Sequence, residues 1–166
     1  MPDLGFDGMV KVSWVPTISN IAAPTAVELN AGTSLEGVLV ADGLTISSET
    51  GEVDNSKMNS IANTVIVGRG TWTLSIKYVR GDAANTAAVA VEAAMAPKAN
   101  GYLVVRRDLS VTSVPTWVAA QKVEVYPGQI GYANPDSPEA DTLQAVEVPI
   151  KSTGTPRDIT NRATVA

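Results

Sequence analysis

The sequence predicts a mainly β domain, a β-sandwich or barrel-like sheet with one flanking α-helix at about 83–95. Three observations carry that expectation. Gly70–Arg80, GTWTLSIKYVR, puts Trp72, Leu74, Ile76 and Tyr78 on one face and Thr71, Thr73, Ser75 and Lys77 on the other, the period of a half-buried strand. The same period recurs along the chain. Only one stretch, DAANTAAVAVEAAMA, carries a helical period, so the expected layering is a sheet with one packed helix.

Taken in order, residues 1–8 (MPDLGFDG) are polar and unpatterned and read as an N-terminal arm. They have no basic n-region and no apolar h-region, unlike a signal peptide. Met9–Val15 places Val10, Val12 and Trp14 on one strand face, and Glu36–Val40 and Leu44–Ser47 read as further strands. A loop over 47–63, SSETGEVDNSKMNSIAN, follows; it exceeds the ~12–15 residues beyond which unstructured connections are usually functional or disordered. Thr64–Val67 and Gly70–Arg80 are the next strands.

The helix stripe runs through Ala84, Ala87, Ala88, Val91, Ala94 and Met95, and Pro97 with Asn100-Gly101 ends it. Gly101–Arg107 is a strand. Val123 and Val125 alternate with Lys122, Glu124 and Tyr126; Val146, Val148 and Ile150 form a last apolar face. Pro149 lacks a ladder N–H and places that segment at an edge or strand end. Residues 151–166, KSTGTPRDITNRATVA, read as a C-terminal arm. A length of 166 residues predicts a single domain, 1–166.

Composition narrows the chemistry. The chain has no Cys and no His, which excludes disulfides, a Cys nucleophile, Cys or His metal sites and a Ser-His-Asp triad. No apolar run approaches the ~20 residues of a membrane-spanning helix. A net charge of -5 disfavours gripping nucleic acid, whose phosphates are held by Lys and Arg. Charged residues are 17 % of the chain, against roughly 25 % on average. Either the surface of a monomer is rich in Thr and Ser, or it is covered by copies of the chain, since interfaces are depleted in charge.

Individual motifs are modest. Arg80-Gly81-Asp82 resembles an adhesion triplet, yet it falls where the strand ends and the helix begins, and Asp82 stands where a helix cap is needed. The acidic stretches with Glu49, Glu52 and Asp54, and with Asp136, Glu139 and Asp141, lack the spacing of a calcium loop. Arg106-Arg107-Asp108 reads as surface ion pairing or pairing across a subunit boundary. Trp14 and Trp72 share faces with aliphatic residues and read as core; Trp117, after SVPT, is the candidate exposed tryptophan.

The succession VLVADGLTISSETGEVDNSKMNS, GTWTLSIKYVRGD into a helix, GYLVVRRDLS, KVEVYPGQIGYANPD and LQAVEVPIKSTG resembles the major tail tube proteins of long, non-contractile-tailed (siphovirus-type) bacteriophages, over roughly Val38–Gly154. The resemblance implies a tail-tube fold and a structural virion protein, not an enzyme. Subunits would form rings, commonly hexamers, by self-assembly, and the rings would stack into a tube for DNA ejection. It also implies an acidic lumen that DNA transits without specific binding. Assembly would take place in the host bacterial cytoplasm, with tape measure, tail terminator and distal tail proteins as partners and no membrane, cofactor or catalytic residue. On that reading Glu49, Glu52, Asp54, Lys57 and Met58 are candidate inter-ring contacts, Arg106, Arg107 and Asp108 candidate subunit-interface residues, and Asp82 the helix cap. The competing expectation is a β-sandwich binding module for carbohydrate or a cell surface, through Trp117 or the Arg80–Asp82 triplet. An enzyme using paired carboxylates is the third.

Overall fold

The computed structural model describes residues 8–59 and 61–166. Its strands are β1 (Lys11–Val15), β2 (Thr33–Ser34), β3 (Leu39–Asp54), β4 (Val65–Val79), β5 (Asn100–Arg106), β6 (Lys122–Ile130), β7 (Asn134–Pro135), β8 (Ala145–Ser152) and β9 (Ala163–Thr164), with helices α1 (Ala26–Asn30) and α2 (Thr86–Ala94). All strand pairs are antiparallel, in the order β2-β1-β5-β6-β8-β4-β3, with β7 on β8 and β9 on β6. The mainly β expectation holds.

Register follows the apolar alternation. Leu74 opposes Ile150, Ile76 opposes Val148 and Tyr78 opposes Val146, because slipping by one residue would turn each of these side chains out of the core. On the same face, Val12 opposes Val105 and Trp14 opposes Leu103. Ala88, Val91 and Met95 of α2 close over this core. Of the expected stripe, Ala88, Val91 and Met95 are buried and Ala94 is half-buried, whereas Ala84 and Ala87 are exposed.

The other face of β1, β5 and β6 carries a second core that the alternation does not predict. Val15, Val104, Val123 and Val125 pack there against Leu29 of α1, Trp117, Ala163 and Val165. The central strands are therefore buried on both sides, and β1 is buried at every position. Helix α1, absent from the sequence expectation, is fixed by a capping box: Thr25 Oγ1 accepts from Glu28 N, and Glu28 Oε2 accepts from Thr25 N at 2.9 Å.

Several expected boundaries change. The four separate segments 36–40, 44–47, 64–67 and 70–80 are two long strands of one hairpin. A bulge between Leu39 and Leu44 and an irregularity between Thr50 and Glu52 interrupt its register. The bulge needs glycine, since a Cβ at Gly43 would collide with the Lys77 carbonyl. The segment 47–63 is strand as far as Asp54 rather than loop throughout, leaving 55–64 as the connection.

Pro149 is not at an edge, because β8 lies between β6 and β4. Its carbonyl accepts from Gly131 N where the chain leaves β6, so its missing N–H also points to that gap, between the β6 and β7 pairings. The 151–166 segment finishes β8 and then folds back on its own body. β9 pairs with Lys122 and Val123, Arg157 exchanges both backbone hydrogen bonds with Val125, and Val165 N donates to Gln121 O. Ala163 and Val165 supply the apolar anchors. Of the N-terminal arm 1–8, only Gly8 lies within the described residues.

Candidate functional site

The outer part of the β3–β4 hairpin has the composition of a contact surface. Val53, Met58, Ile61, Val65, Ile66 and Val67 are all about half to fully exposed, Met58 and Ile61 without cover at all. Scattered exposed apolar residues need no explanation, but a contiguous set on one projection marks an interaction site. The tip is itself ordered by hydrogen bonds: Asn55 N donates to Thr64 O, Thr64 N to Ser56 Oγ, and Ser56 N to Asp54 Oδ1 at 2.7 Å. The Ser56 hydroxyl, then its backbone N–H, hold the Asp54 carboxyl below its ordinary value. The side chains of Glu49, Glu52 and Lys57 make no ion pair or hydrogen bond among the described residues. The sequence-derived residues Glu49, Glu52, Asp54, Lys57 and Met58 thus lie together on one projection. Sequence reasoning missed the apolar half of that surface, although the run TVIV with no polar alternation was its signal.

Beside the apolar face of the hairpin root runs a polar one. Thr45, Ser47 and Glu49 of β3, Thr71, Thr73, Ser75 and Lys77 of β4, and Glu147 and Lys151 of β8 share it by register. Lys77 bonds Asp136 at 2.7 Å, which raises its ammonium pKa. β3 borders this surface as a long strand with one edge unpaired among the described residues.

At the base of the hairpin, on the side of the first core, lies a cavity of about 580 Å³. Val10, Val12, Leu39, Val40, Ala41 and Leu44 give it an apolar lining, with Glu36 and Arg107 as its charged walls. Glu36 is held by Lys11 Nζ at 2.8 Å.

The other sequence-predicted residues make contacts within the chain. Arg106 is fully buried, not a surface partner. Its guanidinium donates to the carbonyls of Val114 (2.7 Å), Thr116 and Leu109 and lies 5.7 Å from the centroid of the Trp117 ring. Burial pulls its pKa down, and Asp108 and Glu36 oppose that. Arg107 donates to buried Glu124 at 2.8 Å, and Tyr126 donates its hydroxyl to the same carboxylate. Burial first, then Glu124, push the Tyr126 phenol far up, so it remains a donor. Asp108 accepts from Arg162 at 3.1 Å.

Trp117 is buried rather than exposed. Its Nε1 donates to Ser13 Oγ, Asn30 bonds its backbone N–H and C=O, and Lys11 Nζ sits 5.5 Å from the ring centroid. No stacking platform for sugars remains there. The Arg80–Asp82 triplet is likewise engaged. Arg80 pairs with Glu92 at 3.0 Å, and Asp82 Oδ1 accepts from Ala84 N and Asn85 N. Asp82 is therefore a turn former, and the helix cap is Asn85, whose side chain accepts from Ala88 N. Gly81 is required by contact, since a Cβ there would lie 2.7 Å from both Ala88 and Asn85.

Among the described residues no group of three or more His, Cys, Asp or Glu could hold a metal ion, and no helix is long and apolar enough to cross a membrane.

Comparison with known proteins agrees. No curated protein sequence matches the chain. Among solved structures, one chain of the cryo-EM structure of the anti-feeding prophage (AFP) baseplate, 6-fold symmetrised, shares the fold. Its TM-score is 0.51 at 9 % identity, over 95 % of this chain and 96 % of that one. A family profile described as phage tail tube protein matches residues 1–164. The chain belongs to the phage tail tube protein family and is a structural component of a phage tail, of a family that is not one of enzymes.

Proposed function

We propose that copies of this chain close into six-fold rings that stack into the tube through which DNA leaves the virion. The carrying observation is the β3–β4 hairpin, an ordered projection whose apolar side chains are half to fully exposed among the described residues. An isolated two-stranded ribbon is marginal in water, and an exposed edge invites pairing with another chain. Both features are stable once a neighbour covers them. Closure of a ring around the open edge of β3 removes that edge, and the six-fold baseplate containing the similar chain supports the choice of symmetry.

The polar face of β3, β4 and β8 is the candidate lumen wall, because the opposite face is committed to the core. This wall is richer in hydroxyls than in carboxylates. Glu49, Glu147 and Asp136 are accompanied by Lys77 and Lys151, so the reading replaces a strongly acidic bore with a hydrated, nearly balanced one. Such a wall still offers DNA phosphates no cluster of cations to adhere to. Glu49, Glu52, Asp54, Lys57 and Met58 serve contacts between rings. The long, non-contractile tail type rests on the order of sequence segments. Partnership with tape measure, tail terminator and distal tail proteins, and assembly in the host cytoplasm, accompany that reading.

Negative-stain microscopy of the concentrated protein tests it, beside a variant in which Gly51–Arg69 is replaced by Asn-Gly. Thr50 opposes Gly70, so a two-residue turn closes the shortened hairpin. Rings or tubes are expected from the parent, and a folded protein without long tubes from the variant. A parent that sediments as a monomer at every concentration overturns the reading.

A further inference from the structure

The cavity at the hairpin root is a gap in the first core. Protein interiors hold few voids larger than a water molecule, and this one measures about 580 Å³. Val10, Leu39 and Leu44 in its wall pack against the first core and stay only partly buried. β2 pairs with β1 only at Ser13 and Trp14, and the cavity begins where that pairing stops, at Val12 and Val10.

The chain enters this wall at Gly8. Gly8 and Met9 form a turn, and Gly8 has φ +65°, a conformation that glycine adopts without a Cβ penalty. Val111 N donates to Gly8 O at 2.8 Å and fixes the turn against another wall residue. A turn reverses the chain, so the residues preceding Gly8 are directed back along β1. Those residues, 1–7, lie outside the described ones. They are polar by composition, yet Leu4 and Phe6 alternate with Asp3, Gly5 and Asp7. In an extended chain that spacing puts both apolar side chains on one face and both carboxylates on the other.

We propose that the segment preceding Gly8 fills the hairpin-root cavity of its own copy, seating Leu4 and Phe6 against Val10, Val12, Leu39, Val40 and Leu44. Reach allows it: at full extension the Phe6 backbone lies within about 7 Å of Gly8 and that of Leu4 within about 14 Å. The attachment also favours this occupant over the same segment of another copy. A segment tethered at the wall has an effective concentration on the order of mM, with no association to drive. Seated there, it joins β1 to the bulged root of β3, where Val40 and Ala41 lie between the two registers, and extends the first core beneath the hairpin. The inference concerns one copy and stands apart from ring closure.

Phe6 is the only phenylalanine of the chain, so growth with 4-fluorophenylalanine gives a single fluorine resonance. Its shift is expected to differ from that in urea, to be shielded from a dissolved gadolinium chelate, and to stay unchanged on dilution to the monomer. Val40→Asp puts a carboxylate in the cavity wall and is expected to return the resonance to its urea position and expose it to the chelate, with circular dichroism unchanged. Ala41→Asp, at an exposed wall position, is the second variant should Val40→Asp fail to fold. A parent resonance at the urea position and open to the chelate would overturn the proposal. Shielding lost on dilution would assign the seat to another copy and overturn it too, and shielding that survives both variants would place Phe6 elsewhere.

Discussion

Strands β1, β5 and β6 are buried on both faces, whereas the outer halves of β3 and β4 are buried on neither. The same β4 strand contains both conditions: Ile76 is inaccessible and Ile66 is 52 % exposed. The body draws its stability from its own two cores. The hairpin has strand pairing and turn hydrogen bonds but no apolar face to rest on. In the proposed assembly its burial comes from outside the copy. The difference teaches that one chain can keep a self-sufficient fold and an unfinished surface apart, joined through a glycine-containing bulge at the root.

Substitutions sharpen or break that contrast. Trp117→Ala opens the second core beneath Lys11 and Arg106 and is expected to cost the monomer about 3–5 kcal/mol, read by urea unfolding; a loss under about 1 kcal/mol would mean that the second face is not a core. Ile76→Ala should cost about 2–5 kcal/mol. Asn85→Ala removes the cap of α2 and should cost about 1 kcal/mol. Asp82→Ala should cost less, because the helix end stays capped; the reverse ranking would restore Asp82 as the cap. Ile66→Ala should leave monomer stability within about 0.5 kcal/mol while weakening assembly, and equal costs at Ile66 and Ile76 would abolish the distinction between root and tip.

The smallest effect concerns acid. Hydrogen bonds from the Ser19 hydroxyl, the Thr25 backbone, the Ser19 backbone and the Thr25 hydroxyl lower the Glu28 pKa from 4.5 to about 2. A carboxyl depressed in the folded state stabilises it fully above its ordinary value, and that contribution disappears as pH falls through the folded one. The capping box should therefore persist below pH 4.5 and open near pH 2, as followed by the carboxyl resonance of Glu28. A midpoint near 4.5 would show the box open in solution.

The sequence carried the strands with clean alternation. Trp72, Leu74, Ile76 and Tyr78 do point toward the first core, although Trp72 is only partly covered. The second core was less legible because its cover is distant: β1 presents Lys11, Ser13 and Val15 there, and Trp117 arrives from another part of the chain. The unbroken run YLVV in β5 was the available sign of two-sided burial. RATVA at the C-terminus reads as a strand only once β6 is placed beside it. At the candidate site the charged residues were found from loop length, but the strand content of 48–54 was hidden by Ser, Thr, Gly and Glu. Those residues lack the apolar period because neither face of that segment packs within one copy.

Hydrogen exchange of the hairpin amides, compared between monomer and assembled protein, tests the central claim most directly. The account predicts that Ser48–Asp54 and Val65–Thr71 exchange quickly in the monomer and become strongly protected on assembly, while β1, β5 and β6 are protected in both states. Hairpin amides that exchange equally in the two states would contradict it.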